Sequence, residues 1–177
     1  MRTTLALILA AALTAPAAAQ QPSGNPVSDG IRGQWNGVKG YIRQSGELMA
    51  ESNFDYRPVD GVRSFGEILA HVAGASYVIC ASARNEKTPF AEDHFEKNAK
   101  TRAAILKATT DAIAYCDEAF NALTDANAAQ MVPNPFGDGQ RSRTSVLVLQ
   151  VAHDNEHYGN LVTYFRMNGI VPPSSRR

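Results

Sequence analysis

Hydrophobic residues recur every three or four positions in four separate stretches of the chain, which is the spacing expected for one face of an α-helix. The first predicted helix spans residues 28–51 and the third spans residues 101–123. Their inward positions are Ile31, Trp35, Val38, Ile42 and Met49 in the first, and Ile105, Thr109, Ile113, Cys116, Phe120 and Leu123 in the third.

Start and stop signals define the other two helices. Ser64, with Glu67 three residues later, predicts a capping box at the start of the second helix. The fourth helix begins near Thr144, which can cap it, and ends at Gly169 before two prolines. The inward stripe of the second helix comprises Ile68, Val72, Ala75 and Ile79. No stretch alternates apolar and polar residues for long enough to predict a strand, so we expect an all-α protein built as a four-helix bundle.

The N-terminus has the pattern of a secretory signal peptide. A positively charged start is followed by an apolar run over residues 5–13 and by Ala17-Ala18-Ala19, a small-residue cleavage site. The run is too short to span a bilayer, although a retained anchor is the alternative. We therefore expect residues 1–19 to be removed, 20–27 to form a flexible leader and 28–177 to form the bundle. Such a protein is periplasmic or secreted, with no stable membrane insertion.

Charge provides mainly negative information about partners. The chain has 17 basic and 17 acidic residues, and no basic block is interleaved with aromatic residues. Nucleic acid is therefore not an expected partner. Arg141 and Arg143, together with the terminal Arg176 and Arg177, are interpreted as solvated loop and tail charges.

The fourth predicted helix contains the stretch His153-Asp154-Asn155-Glu156-His157. A helical step of about 100° per residue places both histidines within about 20° of the inner face centred on Val146. Side chains four residues apart lie about 5–6 Å from each other, so both imidazoles can bind one ion. No carboxylate partner for the rings is evident in the sequence. A metal ion is therefore expected to satisfy their nitrogens, and core histidines bonded to backbone or water are the alternative.

His71 is the candidate third ligand, because it lies beside the apolar stripe of the second helix. Taken alone, such a histidine is more often a core residue with satisfied hydrogen bonds, but the histidine pair on the fourth helix favours a role as ligand. His94 lies among charged residues without periodic context and is interpreted as a surface residue. The H-x-x-E-H pattern of inverted zinc peptidases also matches, which makes Glu156 a weak candidate for a catalytic base. Too little chain follows His157 to supply the further acidic ligand of those peptidases, so a solvated or outer glutamate is the favoured interpretation.

Three neutral imidazoles on one divalent ion leave a coordination position open, as in catalytic rather than structural sites. Zinc is the favoured ion by ligand type, with nickel, iron or manganese as alternatives. The residues thus predict a metal-dependent enzyme, such as a hydrolase, that acts on a small-molecule substrate. A non-catalytic module that binds a metal or small ligand is one alternative, and a helical domain with a vestigial site is another.

Residues 153–173, HDNEHYGNLVTYFRMNGIVPP, closely resemble the C-terminal helix of DinB-like proteins, a family that includes YfiT-type metal-dependent hydrolases. Residues 63–73, RSFGEILAHVA, resemble the second helix of that family. The resemblance implies a bundle with up-down-down-up connections. It also implies a metal held by one histidine from the second helix and two from the fourth, matching His71, His153 and His157. Characterised relatives include transferases and isomerases that use thiols, so the resemblance implies a thiol-dependent transferase as the alternative to a hydrolase. Those relatives act inside cells, whereas this chain has the pattern of an export signal.

Cys80 and Cys116 are the two cysteines of the chain, and an exported protein can join them in a disulfide. Each lies about 23 Å along its predicted helix, at about 1.5 Å per residue. The two cysteines therefore lie at the same height only if the second and third helices run parallel. Two buried free thiols are the alternative.

The fourth helix carries another apolar stripe on the side away from the histidines. Its residues are Val148, Val151, Tyr158, Val162 and Phe165. We expect the long loops over residues 84–100 and 124–143 to cover this stripe, and a homodimer is the alternative.

Overall fold

The computed structural model describes residues 24–176, and most of these residues are helical. Its α-helices are α1 (Pro26–Leu48), α2 (Phe65–Arg84), α3 (His94–Asn98), α4 (Arg102–Asn121) and α5 (Arg143–Met167). Two short strands, β1 (Met131–Pro133) and β2 (Gln140–Ser142), pair antiparallel, and 3-10 turns occur at Glu51–Asn53 and Pro173–Ser175. The predicted signal peptide and the first part of the predicted leader lie outside the described residues.

The four long helices are those that the hydrophobic spacing predicts, with small differences at their ends. α1 begins two residues early, at Pro26, because proline suits the first turn of a helix. The predicted capping box at Ser64 and Glu67 is present at the start of α2. The prediction that Thr144 caps α5 is wrong, because Ser142 caps the helix. Thr144 lies in the first turn and donates a hydrogen bond to the carbonyl oxygen of Ala128 in the preceding loop.

The C-terminal end of α5 follows the predicted pattern. Gly169 has a φ of +69°, a left-handed conformation that favours glycine. This turn lets the N–H of Ile170 donate to the carbonyl of Phe165 at 2.9 Å, which satisfies one of the last helical acceptors. The chain then leaves the helix axis.

Two of the long helices, α2 and α4, run parallel. Gly66 near the start of α2 faces Ile105 near the start of α4, and Arg84 at the end of α2 pairs with Glu118 near the end of α4. A disulfide between Cys80 and Cys116 joins the two helices, whose Cα atoms at these positions lie 5.3 Å apart. The parallel arrangement that the cysteine positions require is therefore the observed one.

The other two long helices, α1 and α5, run in the opposite direction. Arg102 at the start of α4 donates to the carbonyl oxygen of Gly46 near the end of α1. Tyr164 near the end of α5 donates to the carbonyl oxygen of Arg63, just before α2, at 2.6 Å. The bundle therefore has the up-down-down-up topology that the family resemblance implies.

Helix α2 is the most buried element of the bundle. By length and composition alone, α2 could cross a membrane. This is weak evidence for a membrane span, because 89% of its apolar window is covered by the rest of the protein. It packs against α4 on one side and α5 on another. A helix enclosed in this way needs apolar residues around most of its circumference.

Three short elements, α3, β1 and β2, have no counterpart in the predictions. Helix α3 has five residues, and the strands β1 and β2 have three residues each, so the absence of strands is a wrong expectation for residues 131–142. Such short elements show no measurable period in their apolar residues. The structure nevertheless packs Phe95 of α3 against Tyr77 of α2, with ring centroids 5.7 Å apart.

Two residues of the second apolar stripe of α5, Tyr158 and Phe165, pack against helices rather than loops. Tyr158 stacks on Tyr41 of α1, with ring centroids 4.8 Å apart, and Phe165 contacts Phe65 of α2 edge to face at 5.2 Å. The expected covering by the long loops is therefore wrong for these two residues. A helix at the corner of a bundle has two neighbours, so two apolar stripes do not by themselves require a second copy of the chain. Val148, at the start of the stripe, is 47% exposed.

Reduction of the disulfide should lower the free energy of unfolding by about 2–4 kcal/mol, because the cross-link restricts the unfolded chain. Denaturant unfolding with and without reductant measures this difference. The double variant Cys80→Ala/Cys116→Ala is the control and should not respond to reductant. Two free thiols in the unfolded, unreduced protein would contradict the prediction.

Candidate metal centre

Three histidine rings from α2 and α5 converge on one point. The Nε2 atom of His153 lies 3.3 Å from Nε2 of His71 and 3.2 Å from Nε2 of His157. One nitrogen from each ring lies within 4.8 Å of the other two. A tetrahedral ion with metal-to-nitrogen bonds of about 2.0–2.1 Å separates its ligand nitrogens by about 3.3 Å. The observed spacing therefore fits three bonds to a single ion.

Burial keeps two of these imidazoles neutral. His71 and His157 are 7% and 9% exposed. Burial lowers the pKa of His71, and the positive charge of Arg63 lowers it further. Burial, helped by the neighbouring histidines His153 and His71 and by Arg63, lowers the pKa of His157 to about 3. Neutral imidazole is the form that binds metal, so both rings are in the binding form at pH 7.

Two carboxylates contact the far edges of the rings. The Nδ1 atom of His71 lies 3.0 Å from Oε1 of Glu96, and Nδ1 of His153 lies 3.3 Å from Oδ1 of Asp154. Each carboxylate accepts a hydrogen bond from Nδ1, which leaves the Nε2 lone pair facing the cluster. The expectation that the histidines lack carboxylate partners is therefore wrong. Glu96 comes from the short helix α3, which the hydrophobic spacing does not reveal.

The remaining ring, that of His157, points to a cation for a different reason. Its Nδ1 atom is buried and has no hydrogen-bond partner within residues 24–176. A buried polar atom without a partner costs about 1–3 kcal/mol. Its Nε2 atom faces the converging nitrogens of the other two rings. An ion at this point would bind Nε2 lone pairs that otherwise repel each other, whereas Nδ1 of His157 would still need a partner of its own.

A buried hydrogen-bond network connects Asp154, the partner of His153, to helix α2. Asp154 is 1% exposed, and its carboxylate accepts a hydrogen bond from the side-chain amide of Gln150 at 3.0 Å. The same amide donates to the hydroxyl of Ser76 on α2 at 2.9 Å. Burial raises the pKa of Asp154, while the hydrogen bonds from His153 and Gln150 oppose that shift. The network ties α2 to α5 directly beside the histidines.

Close packing at Gly74 brings Glu96 to the site. Gly74 lies three residues after His71 on α2, and a Cβ atom there would collide with the backbone carbonyl of Glu92. The segment that leads into α3 therefore lies directly on the surface of α2. Glu96, four residues after Glu92, then reaches His71.

The structure thus brings together His71, His153 and His157, and it places the other candidates elsewhere. His94 begins α3 and lies outside the cluster; it is half-buried, and its ring packs on Phe90 with centroids 4.7 Å apart. Glu156 is exposed on α5 and lies outside the histidine cluster. The roles of Glu96, Gln150 and Asp154 are not predicted from the sequence. Asp154 alone has a signal there, because it directly follows His153.

An open cleft of about 590 Å³ borders the cluster at His157. Its walls are the segment before α2 and the C-terminal half of α5. The residues that line it include Arg63, Ile68, His157, Asn160, Thr163 and Tyr164. A cleft of this size, with apolar and polar walls, can hold a small molecule beside the site.

Comparisons with known proteins agree on one family. The model of the DinB superfamily matches residues 40–161, more than half of the chain. A DinB-like protein from Bacillus cereus is similar in structure, with a TM-score of 0.65 and 16% identity over 82% of this chain and 95% of that one. YfiT from Bacillus subtilis, described as a probable metal-dependent hydrolase with an unusual four-helix bundle topology, has a TM-score of 0.62 and 21% identity. That match covers 81% of this chain and 88% of YfiT.

A mycothiol-dependent maleylpyruvate isomerase is also similar, with a TM-score of 0.62 and 14% identity over 76% of this chain. The match covers 60% of the isomerase, so that protein contains substantial additional chain. No curated protein sequence matches the chain. At these identities the solved structures show a common fold.

Gly74→Ala should lower the free energy of unfolding by about 1–3 kcal/mol, because the added methyl group displaces the backbone at Glu92. Gly159→Ala is the matched control: it lies inside α5 with open space around it, so alanine should stabilise the helix by up to about 1 kcal/mol. Chemical denaturation measures both changes. Unchanged stability in Gly74→Ala would show that the segment before α3 does not press on α2.

Proposed function

The chain belongs to the DinB superfamily, and on that premise we propose that it is a divalent-metal-dependent enzyme acting on a small molecule. The observation that carries this proposal is the convergence of three Nε2 atoms beside an open cleft. His71, His153 and His157 would hold the ion. Three neutral ligands leave at least one position for a substrate or for water, as in catalytic sites.

When bound, a divalent ion would polarise a substrate carbonyl and lower the pKa of a water or thiol. The protein's residues supply the other parts of the mechanism. Glu96 and Asp154 hold the rings of His71 and His153 in the orientation that exposes Nε2. His157 belongs both to the cluster and to the cleft, so a molecule in the cleft lies beside the ion.

Side chains of α5 provide the polar wall of the cleft. Asn160 and Thr163 are exposed there and can hydrogen bond to a substrate. Burial raises the pKa of Tyr164, which keeps its hydroxyl protonated and able to donate to the carbonyl of Arg63. This hydrogen bond fixes the segment before α2, which forms the opposite wall.

Hydrolysis is the first candidate reaction, and thiol-dependent transfer is the second. The likeness to YfiT supports the first candidate, because YfiT is described as a probable metal-dependent hydrolase. The likeness to a mycothiol-dependent isomerase supports the second. Zinc is the proposed ion, because imidazole ligands and the nitrogen spacing of about 3.3 Å suit a tetrahedral site; nickel, iron and manganese remain alternatives. A non-catalytic module that binds a metal or small ligand is the alternative function.

We also propose that the protein is exported to the periplasm or beyond the cell. The signal-peptide pattern in residues 1–19 supports this proposal. The disulfide between Cys80 and Cys116 supports it independently, since disulfides persist mainly in oxidising compartments.

His71→Ala, His153→Ala and His157→Ala should each reduce bound zinc to near background, because two imidazoles hold a divalent ion weakly. Elemental analysis of untagged protein, loaded with zinc and then dialysed, measures the metal content. Circular dichroism should show that most of the helicity remains. His94→Ala is the matched control and should retain the metal, because its ring lies outside the cluster. Wild-type metal content in the three ligand variants would contradict the proposed site.

Metal-loaded protein assayed with ester, amide and thiol-transfer substrates tests the enzymatic part of the proposal. The proposal expects turnover of at least one class and loss of that turnover in His157→Ala. Bound metal without turnover of any class would favour the binding module.

A further inference from the structure

Arg63 is the charged side chain that lines the cleft beside His157. It immediately precedes Ser64, the cap of α2, and its side chain is 44% exposed. One edge of the guanidinium is in use: Nε donates to Oε2 of Glu96 at 2.8 Å and Nη2 to Oε1 at 3.4 Å. The Nη1 group has no hydrogen-bond partner in the part of the chain that the structure describes, so its two N–H donors are available to a ligand.

This guanidinium lies close to the metal centre. Nη2 of Arg63 and Nδ1 of His71 contact the same oxygen of Glu96, at 3.4 Å and 3.0 Å. One carboxylate group therefore separates Arg63 from a ligand of the proposed ion. Arg63 and His157 also line the same cleft, so a molecule there that reaches the ion with one group can reach Arg63 with another.

The charges around the rings are distributed unevenly. The carboxylates of Glu96 and Asp154 contact the Nδ1 edges of the rings, and Oε1 of Glu92 lies 3.9 Å from Nδ1 of His71 on the same side. The Nε2 side has three neutral imidazoles, so none of the proposed ligands itself carries a negative charge. The charge of Arg63 is partly neutralised by Glu96, and its remaining N–H donors are at the cleft. Such a site attracts an anion.

The other walls of the cleft suit an organic molecule. Pro58, Val62 and Ile68 provide apolar surface, while Asn160 and Thr163 provide hydrogen-bonding groups. Among anionic groups, a carboxylate matches the planar donor pair of a guanidinium, and charge-assisted hydrogen bonds of this type are stronger than neutral ones.

We infer that the substrate is a small organic acid whose carboxylate binds the Nη1–Nη2 edge of the Arg63 guanidinium while a second group reaches the ion held by the three histidines. This inference rests on the proposed metal-dependent function. It adds the chemical class of the substrate and the residue that recognises it.

The test uses the full protein loaded with cobalt(II), whose visible absorption changes when a thiolate binds it. The probes are 3-mercaptopropionate and 3-mercaptopropanamide, which have the same thiol and nearly the same size but differ in charge. Wild-type protein should bind the carboxylate about tenfold more tightly than the amide, as expected for one charge-assisted hydrogen-bonded contact. Arg63→Gln should remove this preference and leave the affinity for the amide within about twofold.

Two controls separate recognition from general effects of charge. Arg166→Gln removes one positive charge from an exposed position on the last turn of α5, outside the cleft, and should keep the preference. Arg63→Lys keeps the charge but loses the planar donor pair, so it should restore part of the preference. Cobalt content equal to that of the wild type would show that Arg63→Gln leaves the metal site intact.

Equal affinity of the wild-type protein for the two probes would overturn the inference and leave the proposed function standing. An unchanged preference in Arg63→Gln would also overturn it, because another group would then bind the carboxylate. Bound cobalt whose spectrum responds to neither thiol would contradict both the inference and the open coordination position. A protein that binds no cobalt would contradict the proposed function at its first step.

Discussion

The packing of α2 against α5 is the constraint on which the site depends, because one candidate ligand comes from α2 and two come from α5. The hydrogen bond between Ser76 and Gln150 and the contact between Phe65 and Phe165 fix the antiparallel register of these helices. A slide of one helical turn, about 5.4 Å, would move His71 out of reach of the other rings. Burial of polar side chains between the helices makes such a slide costly, since their hydrogen bonds would be broken away from water.

The parallel arrangement of α2 and α4 has a consequence for the same site. Parallel neighbours cannot be joined by a tight turn, so the connection must return along the bundle. This connection contains α3, and α3 supplies Glu96, which contacts both His71 and Arg63. Gly74 allows the connection to lie directly on α2. The topology, the outer carboxylate and the charged wall of the cleft therefore have a common structural origin.

The sequence predicts those parts of the structure that repeat with a regular period. The four long helices and the pair His153 and His157 follow from spacing alone, and His71 follows from its place beside an apolar stripe. Short elements carry no such signal, so neither α3 nor the strands can be predicted from spacing. The role of Glu96 cannot be predicted either, because Glu96 lies on α3. The sequence does not distinguish Ser142 from Thr144 as the cap of α5, because several hydroxyl residues lie together at the start of this helix and each can cap it. Only the backbone geometry identifies Ser142. The supporting hydrogen bonds of Gln150 depend on a partner far away in the sequence, which a local pattern cannot reveal.

The most direct test of the account is anomalous diffraction at the zinc absorption edge from crystals of the zinc-loaded protein. The account predicts one strong peak about 2.0–2.1 Å from Nε2 of each of His71, His153 and His157. A remaining coordination position should face the cleft. A zinc peak at another place, or zinc-loaded crystals with no peak between the three rings, would contradict the account.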